Sequence, residues 1–288
     1  MSKFTNPVVL IRPALPRDTA DVVEFTKFIW DGHDYVGAIF PEWLEDPEGQ
    51  LFAAEYAGHC VGTGKVTRVA AGQWWLEGFR VDPNFQGLKI GSRIDARCNE
   101  WWNENGDGTL RLLTNSRRVK VHHLSESRGF VKTGDVIAYA ADPLAEPVET
   151  FTPLTPAEAG EAVAFCRRLK PDAYMNLGWR FLRPDEDAIR EGMENGFLFY
   201  WWRGRSGFVS AWDDDEGEAV RFTVGMEACA DEDRASLLMD LRRLAASRRA
   251  VAVRWMNLVD EPVLTALDAS GYTRDWDDEG FLYERKHA

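Results

Sequence analysis

The stretch Leu76-Glu77-Gly78-Phe79-Arg80-Val81-Asp82-Pro83-Asn84-Phe85-Gln86-Gly87-Leu88-Lys89-Ile90-Gly91-Ser92 reads as a strand, a turn at Asp82-Pro83-Asn84, and a glycine-containing loop that opens into a helix. A helix N-terminus leaves backbone amides unpaired and carries the positive end of the helix dipole, so this order makes an anion site. It predicts that a phosphate-bearing ligand is held near residues 86–92. Other chemistries lack their residues. The chain has no Gly-x-Ser-x-Gly elbow, and Lys89 is followed by Ile90 where a Walker loop needs Ser or Thr. His33, His122 and His123 have no metal-ligand companions, so no metal site is expected. The acidic runs Asp213-Asp214-Asp215-Glu216-Gly217 and Asp277-Asp278-Glu279-Gly280 lack the spacing of a calcium loop. They read as solvated tips or, where one lines a cleft, as attractors of a cationic ligand.

The elements around this stretch follow from periodicity. Val8–Pro13 predicts a strand, and Asp18 offers an N-cap to an amphipathic helix from Thr19 to about Trp30, with a looser helical segment near Pro41–Leu44. Strands are expected at Leu51–Tyr56, Cys60–Val69 and Trp74–Val81, then a helix after Gly91 with Ile94, Cys98, Trp101 and Trp102 on its stripe. A strand at Leu110–Thr114 precedes a helix from Val119 to Ser127, closed by Gly129-Phe130. The order then repeats: strands at about Phe197–Arg203, Gly207–Asp213 and Ala219–Met226, a helix at Arg234–Ala246, a strand at Val251–Met256, and a helix closed by Gly271-Tyr272. Pro156 lies 140 residues after Pro16, and Gly271 lies 142 after Gly129. Such regularity reads as a tandem repeat with a linker in Ala140–Glu149, giving domains of 1–143 and 144–288.

At 288 residues with 45% apolar content, the chain has material for two cores. The net charge of −13 argues against a nucleic-acid partner and suits a cationic or amine substrate as well as plain solubility. Cys60, Cys98, Cys166 and Cys229 are widely spaced, which fits a reducing cytosol. Met1–Pro7 lacks the apolar run of a signal peptide, and no apolar stretch reaches the ~20 residues needed to span a bilayer. The expectation is a cytoplasmic protein with no membrane partner, and a monomer, because a tandem repeat supplies in one chain what a homodimer supplies in two.

In this order of elements the first half resembles the GNAT acetyltransferase superfamily. Ile11-Arg12-Pro13-Ala14 with Asp18 is similar to the family's opening strand and turn, and Gly129-Phe130 to the close of its fourth helix. Gln86-Gly87-Leu88-Lys89-Ile90-Gly91 resembles its acetyl-CoA loop, except that Lys89 stands where the family has its first loop glycine. Leu76–Val81 is also similar to the matching strand of aminoglycoside 6′-type acetyltransferases. The resemblance implies a mixed α+β or α/β fold: two tandem domains, each a mixed, mostly antiparallel sheet flanked by helices. It implies acetyl-CoA as co-substrate, without a metal, bound by Phe79, Arg80, Val81, Gln86, Gly87, Leu88, Lys89, Ile90, Gly91 and Ser92. Where the fourth helix usually offers a Tyr, this chain has Ser125, with His122 one turn earlier. The second half keeps no loop glycine after Gly225 and carries Glu227, Asp231, Glu232 and Asp233 instead, so it reads as a degenerate repeat without CoA.

The activity implied is direct transfer of an acetyl group to an amine of a small molecule or peptide. A protonated amine must lose a proton before attack. Glu77, on the strand before the loop, is the candidate base; as a bland alternative it is a partly exposed strand carboxylate. Strand alternation sets Glu77, Phe79 and Val81 on one face and Arg80 on the other. Amides near Phe79–Val81 are placed to bind the oxyanion, and Ser125 or His122 is the candidate acid. A catalytically silent acyl-CoA-binding or interaction protein is the competing reading. The pairs Trp74-Trp75, Trp101-Trp102 and Trp201-Trp202 read first as packing.

Overall fold

A computed structural model describes residues 8–148, 150–215 and 219–287. Met1–Pro7 and the tip residues Glu216 and Gly217 lie outside the described residues. By compactness the chain divides into one unit ending at Leu112, joined by Glu126–Gly129 and the C-terminal residues from Arg285, and a second made of Leu113–Ser125 and Phe130–Glu284.

The first unit runs β1 (Leu10–Pro13), α1 (Thr19–Thr26), α2 (Val36–Leu44), β2 (Gln50–Tyr56), β3 (His59–Ala70), β4 (Gln73–Val81), α3 (Ile90–Asn105) and β5 (Thr109–Asn115). The sheet order is β1-β2-β3-β4-β5, antiparallel except for the parallel pair β4–β5. β3 is buried from Cys60 to Thr67 because helices cover both faces. On one face Val22 and Phe25 of α1 and Val36, Phe40 and Trp43 of α2 pack on Leu51, Ala53 and Cys60. On the other, α3 lies close against Gly62 and Gly64, where a Cβ on Gly64 would sit 2.6 Å from Ile94 Cγ2.

Two local expectations change. α1 stops at Thr26, where the buried hydroxyl bonds back to Val22 O at 2.8 Å and the chain tightens into bonds from Phe28 and Ile29 to residues three back. Asp18 makes no side-chain cap to α1. Its carboxylate instead takes two guanidinium N–H groups of Arg12, each at 2.7 Å, and the Leu15 amide at 2.7 Å. That pairing holds the Asp18 carboxyl below its ordinary range against the opposing pull of burial.

The second unit contains α4 (Val119–Ser127), β6 (Val131–Ala141), β7 (Phe151–Pro153), α5 (Ala159–Leu169), β8 (Met175–Leu177), β9 (Arg180–Leu182), α6 (Glu186–Glu194), β10 (Leu198–Trp202), β11 (Gly207–Asp215), β12 (Val220–Cys229), α7 (Arg234–Ser247), β13 (Ala252–Leu258), α8 (Glu261–Ala269), β14 (Thr273–Arg274) and β15 (Gly280–Lys286). Its sheet order is β7-β10-β11-β12-β13-β6-β15, with only β12–β13 parallel. Leu237, Leu238 and Leu241 of α7 and Val263 and Leu267 of α8 pack on Trp202, Val209, Phe222 and Trp255. Trp201 turns to the opposite face, edge-on to Phe165 of α5 at 5.4 Å. Both members of that tryptophan pair are therefore packing residues. Each unit is thus a mixed, mostly antiparallel sheet flanked by helices. Gly129 and Gly271, which follow α4 and α8, share the left-handed conformation at φ 85° and 74°.

Candidate active site

Asp82 closes the turn after β4: its Oδ1 accepts the Asn84 amide at 2.9 Å and the Asn84 side chain at 3.0 Å. Gln86 is then extended, Gly87 takes φ 84°, and Lys89 takes φ 58°, ψ 22° immediately before α3. The first bond of α3 runs from Arg93 N to Lys89 O at 3.2 Å. The amides of residues 86–92 meet no acceptor among the described residues. The stretch carries no carboxylate, and Asp82 is occupied by Asn84. The residues present therefore fit a pyrophosphate: unpaired amides, a dipole end and one exposed ammonium.

Lys89 keeps the backbone shape that a glycine would give, at the cost of holding a side chain in the left-handed region. Lys89→Gly is expected to stabilise the protein by about 0.5–1 kcal/mol, the relief of left-handed strain outweighing glycine's larger unfolded-state entropy. The midpoint of urea unfolding measures it, and an unchanged or lower midpoint would refute the strain.

Of the other ligand candidates, Ile90 buries its side chain against Gly62 and offers only its amide, while Leu88 is exposed. Gly91 faces Val81, with Val81 Cγ2 3.8 Å from the position of a Cβ. Arg80 is engaged elsewhere. Its guanidinium bonds to Asp34 at 2.6 and 3.1 Å and to Phe79 O at 3.1 Å, and it stacks over Trp30 at 4.3 Å.

The expected alternation along β4 fails at Gly78. The ladder pairs Lys65 with Glu77 and Thr63 with Arg80, so one residue of β3 opposes two of β4. Such a bulge inverts the facing of everything beyond it. Gly78 sits there at φ 68°, where a Cβ would lie 2.4 Å from the Trp43 ring. Glu77 and Arg80 consequently share the α2 face, while Phe79 lies beside Gly64 and Ile94 on the α3 face. Beyond Trp75 the β5 side of β4 pairs with no strand among the described residues. Glu77 accepts the Thr67 hydroxyl. Next to it, the buried Lys65 ammonium bonds to Asp46. Lys65, Thr67 and Asp46 are not among the candidates that the sequence offers. Their signal was three polar residues, Thr63, Lys65 and Thr67, at strand spacing on one face of a buried strand.

The remaining candidates stand in the second unit. His122 is buried: Nε2 donates to Ser116 O at 3.0 Å, which leaves Nδ1 to accept the Tyr283 hydroxyl at 3.2 Å, and the ring stacks on Tyr283. Ser125 is 4% exposed, and its carbonyl accepts the Phe130 amide at 3.1 Å. No described group of His, Cys, Asp and Glu could hold a metal, and no described helix is long and apolar enough to cross a membrane. All four thiols are buried, which pushes Cys60, Cys166 and Cys229 up to about 12.

The second unit repeats the bulge, at Gly225 of β12, where Ser210 and Ala211 of β11 pair with Met226 and Val224. Its surroundings differ. A Cβ on Gly225 would lie 2.0 Å from Asn176 O of β8, and Asn257 Nδ2 donates to both Gly225 O and Tyr174 O. Of the four acids counted against an anion here, Glu227 is buried and bonds to Lys170 Nζ at 2.9 Å and Trp255 Nε1 at 2.7 Å, and Asp231 pairs with Arg234 at 2.6 Å.

The model of the acetyltransferase (GNAT) family matches residues 19–130 of the chain. Among curated proteins it is 27% identical over 138 residues to aminoglycoside N(6')-acetyltransferase type 1 of Stenotrophomonas maltophilia, covering 45% of this chain and 90% of that one. It is 24% identical over 200 residues to probable N-acetyltransferase 16 of Homo sapiens, covering 62% of this chain and 54% of that protein, so it spans about half the length of this relative. In fold it is similar to the tandem GNAT protein from the clavulanic acid biosynthesis pathway, with TM-score 0.63 at 13% identity, covering 98% of this chain and 99% of that one.

Proposed function

We propose that the chain is an N-acetyltransferase that uses one acetyl-CoA, held by the first repeat (1–143), while the second repeat (144–288) is degenerate. The observation that carries this reading is the run of unpaired amides at 86–92, downstream of a bulged strand that bears Glu77. The loop amides and the α3 dipole hold the pyrophosphate, with Lys89 as an added cation. The acceptor amine gives its proton to Glu77, directly or through water, and attacks the thioester carbonyl. Backbone N–H groups near Phe79–Val81 stabilise the oxyanion. Collapse of the tetrahedral adduct breaks the C–S bond, and the thiolate takes a proton from solvent. Ser125 is the alternative donor on sequence position. His122 is the weaker one, because both its ring nitrogens are engaged.

A silent second repeat is supported by the filling of its Gly225 bulge by Asn176 and Asn257. The acceptor is an amine of a small molecule or peptide, and the net charge of −13 favours a cationic one. We read the protein as cytoplasmic and monomeric, with no nucleic-acid partner. Calorimetric titration with acetyl-CoA is expected to give one site per chain. Two sites would overturn the silent second repeat, and no binding would overturn the acetyltransferase reading. A single site without CoA-thiol release across an amine panel would favour an acyl-CoA-binding protein.

A further inference from the structure

Lys65 lies directly opposite Glu77 in the β3–β4 ladder, an arrangement that brings the two Cβ atoms within about 5 Å on one face. Its side chain is 1% exposed, and its ammonium is drawn to Asp46. The Asp46 carboxylate is itself fixed by the amides of Glu48 at 3.0 Å and Gly49 at 3.1 Å. Gly49 makes room for this pair, since a Cβ there would lie 2.4 Å from Asp46 Oδ2 and 2.7 Å from Lys65 Nζ. Thr67, two residues along β3 on the same face and 6% exposed, donates its hydroxyl to Glu77 Oε1. The bulge at Gly78 bends the strand next to Glu77, so backbone pairing alone does not set where the carboxylate points.

We propose that Thr67 is a positioning residue for Glu77: its hydroxyl fixes the carboxylate in one rotamer, with the Lys65–Asp46 pair walling the side chain on its β3 flank. A glutamate has three rotatable bonds, and one hydrogen bond from a β-branched, buried donor removes most of that freedom. Proton transfer needs the accepting oxygen within hydrogen-bond reach of the amine, so loss of the anchor lowers turnover rather than binding. This rests on Glu77 being the base.

The test compares Thr67→Val, which keeps the shape, with Thr67→Ser, which keeps the hydroxyl. Thr67→Val is expected to lower kcat roughly 10- to 100-fold, with KM for acetyl-CoA and acceptor unchanged. Thr67→Ser is expected to restore kcat to within about twofold. In a Glu77→Gln background, Thr67→Val should add nothing, because the two changes act on one step. A structural role alone would raise KM or lower stability for both variants alike, and that result overturns the proposal, as does wild-type kcat in Thr67→Val. The side-chain carboxyl 13C resonance of Glu77 reads the same bond without turnover. It should move in Thr67→Val and stay in Thr67→Ser. A protein with no turnover but this resonance pattern would sink the base and keep the anchor; an unmoved resonance would sink the anchor.

Discussion

Replacing Glu77 by glutamine is expected to lower kcat/KM about 10²- to 10⁴-fold, the usual contribution of a general base. Acetyl-CoA affinity should stay within twofold, since the loop amides are untouched. Glutamine is the informative substitution because its side-chain oxygen can still accept the Thr67 hydroxyl, so packing around β4 survives while the proton acceptor is lost. The loss should also shrink with acceptors whose amines are less basic, because fewer of those molecules arrive protonated. Steady-state kinetics beside a calorimetric titration separates the two quantities. Turnover unchanged in the variant removes Glu77 from the chemistry without touching the fold.

The second large effect is on stability. Glu227 is 2% exposed and faces Lys170, Trp255 and Arg234, whose Nε lies 3.2 Å from Glu227 Oε1 out of hydrogen-bond alignment. Glu227→Gln keeps the shape and leaves two cations without their shared counter-charge. Removing one partner of a buried pair costs about 3–5 kcal/mol. The lower end is expected, because the Lys170 side chain is 21% exposed and regains some water. Burial on its own would raise the Glu227 carboxyl, but the charges of Lys170 and Arg234 and the Trp255 bond hold it below its ordinary value. A carboxyl depressed in the folded state contributes stability that is complete above the unfolded value of about 4.3 and is lost as pH falls below it. The gap between wild-type and Glu227→Gln urea midpoints should therefore be widest near neutral pH and narrow on acidification below about 4. A gap that persists there would show that the loss comes from packing and not from charge.

Much of this molecule is written locally. The turn at Asp82–Asn84, the glycine loop, the start of α3 within a residue or two, the full span of α4 and the glycines closing α4 and α8 all rest on preferences within a few residues of chain. Residue type alone marked Trp201-Trp202 as a packing pair, and its two members pack on opposite faces of the sheet. Period-based reading failed where the ladder itself is irregular. The bulge at Gly78 exists because β3 and β4 are out of step by one residue, and it moved Glu77 onto the face of Arg80.

Asp18, taken for a helix cap, belongs to Arg12, and the acidic loop of the second half turned out to be partly a buried ion cluster. Lys65 and Thr67 left a trace in their strand spacing, but their partners did not: Asp46 reaches Lys65, and Glu77 reaches Thr67, only after the strands have paired. The sequence by itself determined which backbone segment can hold an anion, because unpaired amides at a helix start need only local chain. Which side chains stand around the Glu77 carboxylate was decided by the tertiary structure, because hydrogen bonds and ion pairs form between groups that only strand register brings together.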